Sequence, residues 1–284
     1  YSTHQTTVTL DLFNQSLETV NLDLLPLRNE IYEKSDKMFD LGGYLIRTGV
    51  TSQEQINYQP LANNFHKKNI LCENYPLKLM YCQNCYHCQL SHAVDPEILF
   101  KNYKYVSGTS QTGLNFFKEN AEFIVKYKNM TNGKILDIAC NDGSQLNYFK
   151  ELGWETYGVD PAENLYEGTV AKGHKVLCGF WNEETAARFG DQRFAIISTQ
   201  NAFAHIPDPL SYLKLAKQYL TYGGKIFIST SQADMVLNGE FDTIYHEHIS
   251  FYNAESMRRL AERAGLYLTD VVKTPIHGTS YIFV

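Results

Sequence analysis

Gly133-Lys134-Ile135-Leu136-Asp137-Ile138-Ala139-Cys140-Asn141-Asp142-Gly143-Ser144 is the stretch that decides the fold. Its apolar run reads as a buried strand, its small residues as a tight turn, and Leu146, Phe149 and Leu152 beyond it as a helix. Such a strand-turn-helix lets backbone approach a nucleotide closely, and the helix N-terminus adds a favourable dipole. The next strand, Glu155-Thr156-Tyr157-Gly158-Val159-Asp160-Pro161, ends in an acid about 20 residues after the first turn, the spacing that ribose recognition requires.

Ala139 and Asn141 stand where a dinucleotide-binding turn would carry glycines, which disfavours a pyrophosphate cradle and hence a dehydrogenase. Asp137 and Asp160, closing the two strands, instead suit a cofactor with a ribose diol and a cationic amino-acid arm, which describes S-adenosylmethionine. The expected cofactor site comprises Asp137, Ala139, Asn141 and Gly143 from the first turn and Asp160 and Pro161 from the second. Asn201, Ala202 and His205 join it from the rim after a third strand, Ala195–Thr199. A fourth strand, Lys225–Thr230, is expected after a Gly223-Gly224 turn. Leu210, Leu213, Leu215, Ala216 and Leu220 predict one helix, and Met257, Leu260, Ala261 and Ala264, ended by Gly265, another. Leu266–Val272 and Tyr281–Val284 read as closing strands. Strands alternating with helices imply an α/β, Rossmann-like parallel sheet covered on both faces, with ligands at the C-terminal strand ends.

The run Phe241-Asp242-Thr243-Ile244-Tyr245-His246-Glu247-His248-Ile249-Ser250-Phe251-Tyr252 concentrates two histidines, a glutamate and several tyrosines. Histidine titrates near neutrality, and an adjacent carboxylate or phenol fixes its tautomer and tunes its basicity, so the run suits a general base. The plainer reading is a polar strand end with incidental histidines.

Several stretches, taken in order, resemble the sugar methyltransferases typified by the nucleotide-deoxysugar C-methyltransferases of antibiotic biosynthesis. They are Pro60-Leu61-Ala62-Asn63-Asn64-Phe65, Tyr75-Pro76-Leu77 leading to Cys82-Gln83-Asn84-Cys85, and Tyr103-Lys104-Tyr105-Val106-Ser107-Gly108. Ala139-Cys140-Asn141-Asp142-Gly143, Ala204-His205-Ile206-Pro207-Asp208 and Asp242-Thr243-Ile244-Tyr245-His246-Glu247-His248 complete the set. The resemblance runs from about Pro60 to the end of the chain and implies a class I S-adenosylmethionine-dependent methyltransferase sheet with a small N-terminal lobe. It makes His248 the expected base, with Tyr245, Glu247 and His246 beside it. Tyr105 reaches the same site and Tyr103 is the weaker candidate. Ordinary packing is the alternative for each, since the chain holds 20 tyrosines.

Two departures from the family bear on function. Family members carry an earlier Cys-x-x-Cys that joins the later pair on zinc, whereas here no cysteine precedes Cys72. Cys72, Cys82, Cys85 and Cys88 cluster instead, with His87 and His92 near. Either they form a rearranged tetrahedral zinc site or they now act as small apolar residues. The chain also stops at Val284, where the family continues into a lobe that helps hold the substrate's nucleotide. O-methylation of a deoxysugar hydroxyl in a glycan or glycoside is therefore the first expectation. C-methylation of a nucleotide-linked ketodeoxysugar comes second, and a non-catalytic glycan- or protein-binding domain is the reading of another class.

The 284 residues suffice for one substantial core and an appended lobe, expected as 1–108 for the cap and cysteine-containing lobe and 109–284 for the methyltransferase domain. A net charge of -6 without a basic stripe argues against nucleic-acid partners. No apolar stretch is long enough to cross a membrane and no secretory signal is visible. Cysteines clustered in one region suit a reducing interior, so a cytoplasmic protein is expected. A first residue that is tyrosine rather than methionine raises the expectation of a segment from a larger multidomain polypeptide. Thr6–Leu10 and the leucines Leu22, Leu24, Leu25 and Leu27 suggest a capping strand and helix, or an oligomer contact.

Overall fold

The structure is a computed structural model describing residues 58–62, 73–82, 84–231, 243–276 and 279–284. The opening strand and helix expected from the sequence lie outside the described residues, as do Cys72 and Asp242. The described chain begins with four short strands, β1 (Tyr58–Pro60), β2 (Asn74–Pro76), β3 (Leu79–Tyr81) and β4 (Cys88–Leu90), and a short helix, α1 (Pro96–Phe100). Then follow α2 (Gln111–Lys128), β5 (Lys134–Ile138), α3 (Ser144–Glu151), β6 (Glu155–Asp160), α4 (Glu163–Ala171), β7 (Lys175–Cys178) and α5 (Glu183–Ala187). The remainder is β8 (Phe194–Gln200), α6 (Pro209–Gln218), β9 (Leu220–Ser231), β10 (Ser250–Phe251), α7 (Ala254–Arg263), β11 (Val271–Thr274) and β12 (Ser280–Phe283).

Seven strands form the main sheet in the order β11-β12-β9-β8-β5-β6-β7. The five from β9 to β7 run parallel, and β12 enters antiparallel between β9 and β11. This is the class I methyltransferase arrangement the sequence predicts. β5 shows why it forms: Ile135, Leu136 and Ile138 are all buried, an apolar run wanted only by a strand covered on both faces. Ile135 packs into one core with Leu146, Phe149 and Phe227, and Leu136 into the opposite one with Phe194, Phe203 and Tyr212.

The helices are fixed at their ends by side chains. Ser110 caps α2 by accepting from Gly113 N, and Asn129 closes it in a left-handed conformation with φ 53°. Asp208 caps α6 by accepting from Ser211 N at 3.0 Å, with Pro209 in the first turn. Asn253 and Ser256 form a reciprocal capping box on α7.

Three elements differ from expectation. Gly223-Gly224 does not precede the fourth strand but lies within β9, where Gly223 adopts φ +69° and the register against β8 shifts between Phe194 and Ile196. The strand expected over Leu266–Val272 starts only at Val271. β7, absent from the sequence reading, pairs with β6 as an edge strand. In the lobe, β10 pairs with β4, so the segment after His248 adds a strand to a sheet begun far earlier in the chain.

Candidate active site

The chain runs from β5 through β6 to β7 on one side, then crosses to β8 on the other. The crevice between β5 and β8 is thus the switch point where α/β sheets bind ligands. A cleft of about 1400 Å³ opens there. Its walls include Tyr103, Tyr105, Ala139, Asn141, Asp160, Pro161, Asn201, Ala202, His205, Tyr245, Glu247 and His248, which brings most of the expected site together.

The turn after β5 adopts the path of a glycine-rich loop with few glycines: Ala139, Asn141 and Gly143 have φ of 62°, 49° and 75°. A left-handed conformation is costly for alanine, and the hydrogen bond from Ala139 N to Val159 O at 2.8 Å helps to hold it. Asn141 donates its backbone N–H to Asp160 Oδ2 at 2.7 Å, and Asp160 Oδ1 accepts from Ala162 N at 2.8 Å. Burial raises the Asp160 pKa, which these two amides partly counter. The backbone therefore holds Asp160 at the cleft wall with lone pairs left over for a ribose diol. The Asn141 side chain reaches the other way, accepting from Ser107 N at 2.9 Å and donating to Tyr105 O at 3.0 Å.

Two expected cofactor residues sit elsewhere. Asp137 is buried below the cleft floor, where Ser198 Oγ donates to its Oδ1 at 2.5 Å. Burial pushes its carboxyl up to about 7, against the pull of that bond. Gly143 faces Thr169 and His174, and a Cβ there would lie 2.8 Å from Thr169 Cγ2, so its role is packing at the start of α3.

On the acceptor side, His248 Nδ1 lies 2.8 Å from the Thr243 carbonyl. A carbonyl only accepts, so Nδ1 carries the proton and Nε2 is the basic nitrogen; Tyr245 Oη donates to it at 3.0 Å. The neighbouring ring, His205, stands 5.2 Å from His248 and stacks on Phe100 of α1 at 5.4 Å. His205 Nε2 is buried without a hydrogen-bond partner, and burial, reinforced by His248, keeps its pKa well below the usual value. His205 is therefore a neutral imidazole with an uncommitted nitrogen. Glu247 is buried and accepts from Tyr103 Oη at 3.0 Å, which makes Tyr103 the tyrosine coupled to the motif. The Tyr105 ring is half exposed on the cleft rim. His246 turns away from the cleft, its Nε2 donating to the Tyr75 carbonyl at 3.2 Å, and so anchors the lobe.

The family model of a methyltransferase domain matches residues 113–271, more than half of the chain. The chain belongs to the methyltransferase domain family. A second model, described as "Putative zinc binding domain", matches residues 51–100. C-methyltransferase NovU of Streptomyces niveus is 30% identical over 214 residues, 73% of this chain and 50% of NovU, so the chain spans half the length of that relative. Ubiquinone biosynthesis O-methyltransferase of Hydrogenovibrio crunogenus is 27% identical over 167 residues, 52% of this chain and 68% of that protein. The solved PH0226 protein of Pyrococcus horikoshii OT3 covers 68% of this chain and 98% of its own, at 17% identity and a TM-score of 0.49.

The cofactor of this methyltransferase is S-adenosylmethionine, which supplies an electrophilic methyl group on its sulfonium when bound. The residues present fit it: a left-handed turn for close backbone approach, and an acid, Asp160, on the cleft wall with lone pairs free for a diol. For zinc they supply half a site. Cys85 N donates to Cys82 Sγ at 3.4 Å in a tight turn. Burial raises the Cys82 pKa, but the Cys85 amide and thiol together with the Asn84 amide outweigh it and leave the thiol lowered. Cys88 lies on β4, where burial pushes its thiol up to about 11. Among the described residues no three metal-ligating side chains converge, so further donors are needed to complete a tetrahedron. Among the described residues no helix is long and apolar enough to cross a membrane.

The sequence puts Gln200 at the start of the rim stretch after the third strand but does not count it among the cofactor residues. It lines the cleft at the end of β8, and neither its buried Nε2 nor its Oε1 has a partner.

Proposed function

We propose that this methyltransferase C-methylates a ketodeoxysugar, carried on a nucleotide as in the family its motifs resemble. The observation that carries the reading is the pair of imidazoles on one cleft wall, His248 with Nδ1 on the Thr243 carbonyl and Nε2 on Tyr245, and His205 with an uncommitted Nε2. A carbon nucleophile requires removal of a proton beside a ketone and stabilisation of the enolate oxygen that results. His248 takes the proton at Nε2 as the Tyr245 hydroxyl gives up that lone pair to the substrate, and the Thr243 carbonyl steadies the imidazolium through Nδ1–H. His205 donates Nε2–H to the developing oxyanion; being held neutral, it can do so without becoming a competing acid. The enolate carbon then attacks the methyl group in line.

A hydroxyl acceptor needs only one base, so the O-methylation that the sequence placed first leaves His205 without a task. Similarity to NovU, a C-methyltransferase by name, supports the same ordering. The test is isotope exchange in heavy water with S-adenosylhomocysteine present and methyl transfer thereby blocked. Deuterium entering the carbon beside the ketone of a nucleotide ketodeoxysugar, and lost with His248→Ala, is the expected result. Absence of exchange, with methyl transfer to a deoxysugar hydroxyl, would replace this reading with O-methylation.

A further inference from the structure

We propose that Gln200 receives the amino-acid arm of S-adenosylmethionine, the role the sequence gives to Asp137. The inference rests on the cofactor alone and is independent of which acceptor is methylated. Asp137 pairs with Ser198 across β5 and β8, so two residues further on Gln200 stands level with Ala139, at the crevice where the sheet reverses its order. Both residues line the cleft, whereas Asp137 does not.

The chemistry of the side chain narrows the ligand. Among the described residues Gln200 is the only one with two buried side-chain polar atoms unmet, an amide donor and an amide acceptor. Unpaired buried polar groups are costly, and a site that keeps them gains when a ligand pairs them. The α-ammonium of the cofactor arm donates to Oε1, and its α-carboxylate accepts from Nε2, so one neutral amide matches both charged ends. Asp137 lacks this match: Ser198 occupies its Oδ1, and its side chain does not line the cleft. Asp160, held by Asn141 N and Ala162 N, is committed to the ribose side.

The test compares two ligands on one variant. S-adenosylhomocysteine carries the arm; methylthioadenosine keeps the adenosine and sulfur without it. Gln200→Leu should weaken S-adenosylhomocysteine by roughly ten- to a hundredfold while methylthioadenosine changes less than about twofold, as read by calorimetry. Retained methylthioadenosine binding also reports that the variant is folded, and Gln200→Met provides the same comparison if the leucine variant is not. Equal losses for both ligands, or unchanged S-adenosylhomocysteine affinity, would overturn the assignment. Unchanged affinity with a raised KM for the acceptor would overturn it too and give the amide to the acceptor. Wild-type protein that binds neither ligand would instead indict the cofactor itself.

Discussion

Tyr245 donates its phenolic hydrogen to Nε2 of His248 across 3.0 Å, so the lone pair proposed to take the substrate proton already has a donor aimed at it. His248→Ala should lower kcat by ~10²- to 10⁴-fold, the usual worth of a positioned general base, and leave the S-adenosylhomocysteine Kd nearly unchanged. Steady-state kinetics beside calorimetry checks this; substantial residual turnover would move the base to His205.

Asp160→Ala removes the acceptor of two backbone amides as well as the proposed ribose contact. Cofactor affinity should fall by about 1–3 kcal/mol, the cost of stranding buried partners. Unaltered affinity for S-adenosylhomocysteine would refute the placement of the ribose.

The two tyrosines of the Tyr-x-Tyr segment should separate cleanly. Tyr103→Phe deletes the hydrogen bond to buried Glu247 and should lower kcat by roughly tenfold or more. Tyr105→Phe alters a half-exposed ring on the rim and should stay within about threefold. The reverse order would restore the ranking drawn from the sequence.

His174 gives the fold an acid limit. It is held between Thr156 Oγ1 at 2.8 Å and Asn147 Oδ1 at 2.9 Å, and burial lowers its pKa from 6.5 to about 4. The unfolded chain therefore binds a proton below pH 6.5 that the folded one refuses until about 4, so stability falls as pH drops through that window. Urea titrations at stepped pH should show this decline, and His174→Gln should be less stable near neutrality yet lose less on acidification. An equally steep decline in the variant would assign the limit to other groups.

The Cys82 and Cys85 turn should bind one zinc ion per chain in protein purified without added metal. Elemental analysis should show that content lost in Cys82→Ser and Cys85→Ser. A metal-free wild type would leave the cysteines as packing residues.

How much of this was legible in the sequence depended on whether the determining contact was local. β5 and its turn were readable because four neighbouring residues carry the burial pattern and the turn follows at once. Asp137 was misplaced because its partner, Ser198, comes from another strand, and nothing near Asp137 announces that it points below the floor. The two histidines flanking Glu247 are alike as residues, and the resemblance favours His248; the distant Tyr75 carbonyl, which holds His246 away from the cleft, is what sequence spacing could not show. β7 was missed because a short edge strand with a single fully buried residue has little apolar pattern to detect. Gly223-Gly224 read as a turn because glycine signals one, whereas here it accommodates a bulge within β9.

Asn141 joins two sides of the cleft at once, its main chain on Asp160 and its amide on the segment bearing Tyr103 and Tyr105. If binding in one half of the cleft shifts Asn141, the two ligands are linked, and each should raise or lower the other's affinity by the same factor. A lobe exchanged to take a different acceptor would need to keep its grip on Asn141, or the exchange would come at the expense of the methyl donor.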